Sequence, residues 1–191
     1  VLVIRRDLVE EIMAHARVED PHEACGLVAG AEGAERPERL VRMTNAAKPS
    51  GDDGVDAGRQ AELGQRRGEH TDYDGEQRTS RTEYGFDSRE WLSVMREMDD
   101  RDEWPVVMYH SHTPRGATPS GYDVDNMTGP ASDPRVHYVI VSTWSGAVPT
   151  VAGHEFRSYR VVDGVVTEEE VEVVESYMFA HTGADDVPDQ D

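Results

Sequence analysis

Apolar residues at helical spacing alternate along this chain with short runs of strand formers. The run from Val1 to Ile4 reads as a strand. Leu8, Ile12 and His15 share one stripe, which predicts an amphipathic helix over 7–18 with Asp7 suited to its N-cap. Residues 24–29 and 39–44 supply the next strand-like runs. Trp91, Val94, Met95 and Met98 then recur at helical spacing behind Asp87, predicting a capped helix to about Arg101 whose large side chains belong to the core. Trp-Pro-Val-Val-Met-Tyr at 104–109 is a buried-strand signal, and 113–119, with two prolines and a glycine, is a loop. Pro119-Ser120 begins a short helix to Met127. Strands are predicted at 136–142, 148–152, 155–162 and 165–173, the last two joined by an Asp163-Gly164 hairpin turn and therefore antiparallel. The mixture predicts an α/β fold in one domain, and 191 residues suffice for one with a real core.

Between about 49 and 82 the pattern lapses into Gly, Asp, Glu, Arg and Gln with few apolar residues, which predicts a solvated insertion, and residues 178–191 form an acidic tail. The formal net charge is -20, from 39 acidic and 19 basic residues, which repels phosphate backbones and anionic lipid surfaces. A nucleic-acid or membrane partner is therefore not expected. No apolar run is long enough to span a bilayer, and Val1–Ile4 passes directly into Arg5-Arg6-Asp7 without a signal-peptide pattern, so a cytoplasmic protein is expected. Cys25 is the only cysteine, which excludes an internal disulfide and any zinc site built from cysteine pairs. Its place inside an apolar run makes it a packing residue rather than a nucleophile.

The candidate chemistry is concentrated in His110-Ser-His112 followed, seven residues later, by Ser120-Gly-Tyr-Asp123. Alternate residues of a strand point to one face, so His110 and His112 can reach one ion while Ser111 faces away. Ser120 and Asp123 share the first turn of the following helix. Alone, Ser-x-x-Asp is a capping box and His-x-His a common pair; joined at this spacing they supply two imidazoles and a carboxylate. Such a mixed set suits Zn2+, leaves its fourth tetrahedral position to water, and would accept other divalent metals too. A base for that water is also needed, and Glu23 is the candidate. It stands where the buried run Ala-Cys-Gly-Leu-Val-Ala begins, and burial favours the protonated form a general base must be able to adopt.

A glutamate near the start followed by His-x-His-x7-Ser-x-x-Asp resembles the JAMM (MPN+) metalloprotease family. The resemblance implies an MPN fold, a mixed β-sheet sandwiched by helices over residues 1–177. It also implies zinc on His110, His112 and Asp123, water activation by Glu23, and oxyanion stabilisation by Ser120. More closely the chain resembles the bacterial Mec-type peptidases, through Glu-Ala-Cys-Gly (23–26), Met-Thr-Asn-Ala (43–46), the stretch 106–113, His-Tyr-Val-Ile-Val-Ser-Thr (137–143) and the stretch 157–169. That implies a ubiquitin-like sulfur-carrier protein ending in Gly-Gly as partner, with cysteine released from its C-terminus. The insertion enters just before Tyr84-Gly-Phe86-Asp87, where the family shapes its substrate channel, so Tyr84 and Phe86 become candidate substrate contacts. Two alternatives keep the chemistry: an isopeptidase for ubiquitin-like modifiers, and a trimmer exposing Gly-Gly on a carrier precursor. A non-catalytic MPN scaffold is disfavoured because all five site positions are filled. The sequence is silent on oligomeric state.

Overall fold

The computed structural model describes residues 1–47, 83–130 and 132–179. The expected insertion at about 49–82, and the tail expected at 178–191 beyond residue 179, lie outside the described residues.

A six-stranded sheet organises the chain. It contains β2 (Cys25–Ala31), β3 (Arg39–Met43), β4 (Glu103–His112), β5 (His137–Ser142), β6 (Phe156–Val162) and β7 (Val165–Glu169). Their order is β3-β2-β4-β5-β6-β7, and β4 and β5 are its one parallel pair. A separate parallel pair joins β1 (Leu2–Arg5) to β8 (Val171–Val174). On one face of the large sheet, α1 (Arg6–Glu19) buries Leu8, Ile12 and Met13 in a cluster with Val28, Val107, Tyr109, Val139 and Val141. On the other face, α2 (Ser88–Asp99) packs Met98, with Trp91, Val94 and Met95, against Cys25, Leu27 and Met108. Beside it, α3 (Gly121–Thr128) buries Met127 with Tyr138, Ile140 and Tyr159. The result is a mixed sheet between helices in one α/β domain, as the periodicity predicts.

Alternation along β4 sorts its side chains by face. Val107 and Tyr109 enter the α1 cluster, Met108 the α2 cluster, and His110 and His112 continue the α2 side to the strand's end. Asp87 caps α2 as expected, its carboxylate accepting from Arg89 N and Glu90 N. Asp163 and Gly164 both have positive φ, 51° and 76°, as a two-residue type I′ hairpin between β6 and β7 requires.

Three local expectations fail. The segment 148–152 forms no strand, only an isolated bridge between Val151 and His154. Pro149 has no N–H to offer a ladder, and Ala152 and Gly153 turn left-handed, with φ of 49° and 84°, so the chain closes on itself. The run 165–173 is two strands rather than one: at Glu170 the chain leaves β6, and the Glu170 carbonyl accepts from Leu2 N at 2.9 Å at the start of the β1–β8 pair. Asp7 does not cap α1, because Arg5 occupies the N-cap without a side-chain bond. Asp7 instead lies in the first turn and pairs with Arg5 at 3.0 Å.

Candidate metal centre

His110 and His112 occupy the C-terminal end of β4, 2 % and 0 % exposed. Ser111 between them faces the other way, its Oγ accepting from Ala24 N at 2.8 Å while its own N–H donates to Ala24 O at 2.9 Å. The loop after His112 returns the chain to α3, which begins with a true capping box: Ser120 Oγ accepts from Asp123 N, and Asp123 Oδ2 accepts from Ser120 N at 2.7 Å. Capping and chemistry are the same arrangement here. The box fixes the Asp123 carboxylate so that Oδ1 lies 3.2 Å from His110 Nε2 and Oδ2 lies 3.3 Å from His112 Nε2. The two Nε2 atoms are themselves 3.2 Å apart. His110, His112 and Asp123, all buried, thus offer ligand atoms within 4.8 Å of one another.

The tautomer of His112 follows from its other nitrogen. Nδ1 lies 2.8 Å from the Gly116 carbonyl, which can only accept, so Nδ1 carries the proton and Nε2 presents a lone pair to the centre. Arg115 Nε also lies 3.4 Å from this Nδ1, but two donors cannot share a bond, and the shorter contact with the carbonyl decides. Lone pairs and a carboxylate converging at about 3 Å repel one another unless a proton or a cation lies among them. The donor set therefore fits a divalent metal of the zinc type. Burial pushes the Asp123 carboxyl up, but the adjacent His110 and His112 outweigh it and hold the group well below the usual carboxylate range. Burial also lowers His110 below an ordinary histidine, against the pull of Asp123, which favours the neutral ring that ligates metals.

Glu23 is 2 % exposed and reaches this face by register. Cys25 pairs with His110 across the β2–β4 ladder and Ala24 bonds Ser111, so one further step sets Glu23 beside His112, on the side to which both imidazoles point. The start of β2 is held there by Asn45, whose Nδ2 donates to Glu23 O at 2.9 Å and to Glu83 O at 3.1 Å. Tyr84 is buried with its ring stacked on His110, centroids 4.2 Å apart and planes 18° from parallel. Phe86 is half-buried, edge-on to Tyr84 and stacked on Trp91. Tyr84 thus backs His110, and Phe86 fills the space between Tyr84 and α2. Cys25 is fully buried and its thiol is pushed up to about 12 by burial, so it is a packing residue. His137 is also structural, buried with Nδ1 2.5 Å from Glu169 Oε1.

Residues 5–162 match the family model described as prokaryotic homologs of the JAB domain. The chain belongs to that family. This JAB-domain chain is 46% identical over 177 residues, 93% of its length and 94% of the relative's, to a CysO-cysteine peptidase of Mycobacterium tuberculosis, and equally to one of Mycobacterium bovis. Among solved structures, a protein of Desulfitobacterium hafniense shares the fold of the JAB-domain chain with a TM-score of 0.58 at 23% identity, covering 95% of this chain and 100% of its own. A protein of Salinibacter ruber does so with a TM-score of 0.52 at 23% identity, covering 93% and 94%. The mixed sheet between helices is thus the MPN fold. Among the described residues, no helix is long and apolar enough to cross a membrane.

Sequence reasoning did not find the residues that support the JAB centre. Glu155 is buried, and its Oε1 accepts from Ala117 N at 3.1 Å beside Gly116, the residue whose carbonyl fixes His112. Ser142 Oγ donates to Arg115 O at 2.7 Å, and Tyr159 OH donates to Ala117 O at 2.9 Å. Asn45 lies within the Met-Thr-Asn-Ala stretch, and its position after a strand was the only local signal it gave.

Proposed function

We propose that this chain is a zinc peptidase that hydrolyses the bond between the C-terminal glycine of a ubiquitin-like sulfur-carrier protein and an attached cysteine. The observation that carries the reading is the convergence of His110 Nε2, His112 Nε2 and the Asp123 carboxylate at one buried point, with Glu23 set beside it by strand register. The 46% identity to CysO-cysteine peptidases over nearly the whole chain supports the substrate class.

His110, His112 and Asp123 would hold the metal, which when bound supplies Lewis acidity for activating water and polarising the scissile carbonyl. Glu23 accepts the proton of the attacking water and returns it to the departing amine of cysteine, one carboxylate serving twice. Ser120 carries a rotatable hydroxyl proton, at present on Asp123 Oδ2 at 2.7 Å, that can turn towards the developing oxyanion. Asp123, anchored by the capping box, needs no reorganisation during the reaction. One water is consumed, the Gly–Cys amide bond breaks, and the products are a carrier ending in glycine and free cysteine. An enzyme of this kind would work in the cytoplasm, where sulfur carriers act.

The test is mass spectrometry of a sulfur-carrier protein bearing a C-terminal Gly-Gly-Cys, incubated with zinc-loaded protein and with a chelated control. Loss of one cysteine mass in the zinc sample alone is expected. An intact carrier with zinc bound to the protein would reject this substrate, and an isopeptide-linked or C-terminally extended carrier cleaved instead would move the activity to deconjugation or precursor trimming. Protein that takes up no zinc would leave a binding scaffold.

A further inference from the structure

We propose that Arg115 receives the α-carboxylate of the residue released from the substrate tail, so that the site acts as a carboxypeptidase on an extension of one residue; this rests on the peptidase reading above. Arg115 lies on the loop between His112 and α3, half-buried, with its Nε 3.4 Å from His112 Nδ1. That nitrogen already donates to Gly116 O, so the guanidinium is parked against the imidazole without a bond that satisfies it. Among the described residues it has no carboxylate partner either. Arg5, Arg6, Arg39, Arg101, Arg135 and Arg157 each pair with an Asp or Glu, and Arg17, Arg36 and Arg160 rest against His154, Tyr177 and His137, so Arg115 is set apart by its place against a candidate metal ligand rather than by the lack of a carboxylate alone. A half-buried guanidinium left unpaired beside a candidate catalytic centre is an anion receptor in waiting.

Its placement is fixed rather than incidental. The Arg115 carbonyl is held by Ser142 Oγ at 2.7 Å, and the next residues but one are held by Glu155 Oε1 on Ala117 N and Tyr159 OH on Ala117 O. Arg115 Nε thus lies 3.4 Å beyond His112 Nδ1, and the imidazole ring separates that nitrogen from the Nε2 that faces the point where the scissile carbonyl would sit. A residue spans about 3.8 Å of chain, so the carboxylate of a single leaving residue falls within that range of the scissile bond. The need for such a group is electrostatic. Asp123 and Glu23 line the centre of a protein with formal net charge -20, which repels an anionic C-terminus unless a local cation receives it. A lysine isopeptide has no carboxylate at this position, and neither does a longer C-terminal extension. Arg115 would therefore select the carrier–cysteine linkage over both.

The experiment compares a carrier ending in Gly-Gly-Cys as the free acid with the same carrier ending in the cysteine amide, on wild-type protein and on Arg115→Gln, with zinc content measured for both proteins. The wild type is expected to prefer the acid by about tenfold to a hundredfold in kcat/KM, the worth of a charge-assisted bond. Arg115→Gln is expected to lose that factor on the acid, to handle the amide as the wild type does, and to keep its zinc. A second arm titrates metal-depleted protein with a fluorescent Gly-Gly-Cys peptide acid and amide, where the same preference should appear in binding and vanish in the variant. Equal cleavage of acid and amide by the wild type, or an undiminished preference in Arg115→Gln, overturns the assignment while leaving the peptidase reading intact. If neither carrier is cleaved the peptidase reading fails, and the binding arm alone then decides whether Arg115 takes a carboxylate.

Discussion

The Tyr84 ring lies flat on the imidazole of His110, 4.2 Å centroid to centroid. A ring held on one face by an aromatic plane keeps its nitrogen aimed without reorganisation, and Tyr84 is itself anchored by Tyr122 OH, which donates to its backbone carbonyl at 3.2 Å. Tyr84→Ala is expected to weaken zinc binding by about tenfold to a hundredfold, the usual effect of removing a group that orients a ligand. Tyr84→Phe keeps the plane and should stay close to wild type. Competition titration against a chelator of known affinity separates the two. Equal affinity in all three proteins would return Tyr84 to a pure packing role.

Glu23 makes the sharpest functional prediction. Glu23→Gln keeps the volume and removes the proton acceptor, so kcat should fall by about a hundredfold to ten-thousandfold. Zinc stoichiometry should be unchanged, because the candidate ligands are His110, His112 and Asp123. Turnover retained at the wild-type rate would remove Glu23 as the base, whereas loss of zinc would make it a ligand.

Glu155 supports the centre from behind. Its two oxygens accept from Ala117 N and Val148 N, at 3.1 and 3.3 Å. An amide in its place offers one acceptor and sets an N–H2 against the other donor. Glu155→Gln is therefore expected to cost about 1–3 kcal/mol in urea denaturation, the penalty of an unsatisfied buried group. It should also weaken zinc binding, because Gly116, which fixes the His112 tautomer, packs against this carboxylate. A variant as stable as the wild type would show that the loop is held by Ser142 and Tyr159 alone.

What the sequence disclosed divides along physical lines. His110 and His112 were legible because strand alternation is a local rule, and Ser120 with Asp123 because one turn of helix fixes their offset. That a capping box and a ligand set share atoms was not legible, since the pattern is the same for either use. The supporting roles of Glu155 and Asn45 were not legible, although Asn45 stands in the Met-Thr-Asn-Ala stretch, because they act on Ala117, Glu23 and Glu83, 38, 22 and 38 residues away, and no periodicity records such contacts. The fold followed the same division. Helical stripes and the Asp163-Gly164 turn were readable locally, whereas the break at Glu170 depends on pairing with β1 at the other end of the chain. Val148 and Val151 imitate a strand, and Pro149 together with the left-handed turn at Ala152 and Gly153 cancels it.

Acid stability should depend on a carboxylate outside the candidate metal centre. Glu169 on β7 bonds His137 Nδ1 at 2.5 Å and accepts from Ser158 Oγ at 2.7 Å, while Arg160 lies 3.1 Å from the other nitrogen of His137. Burial alone would raise this carboxyl, but the bonds from His137 and Ser158 outweigh it and bring it down to about 2 from an ordinary 4.5. A group whose folded value is depressed contributes stability that is full above its unfolded value and is lost as pH falls towards its folded one. The window is therefore about pH 4.5 down to about 2. After allowance for partial screening by solvent, the contribution is about 2 kcal/mol. Urea denaturation at successive pH values should show the wild type losing this increment on acidification, while Glu169→Gln starts lower at pH 7 and has a shallower acid slope. Parallel slopes for the two proteins would assign the acid loss to other carboxylates and leave the His137–Glu169 pair as packing alone.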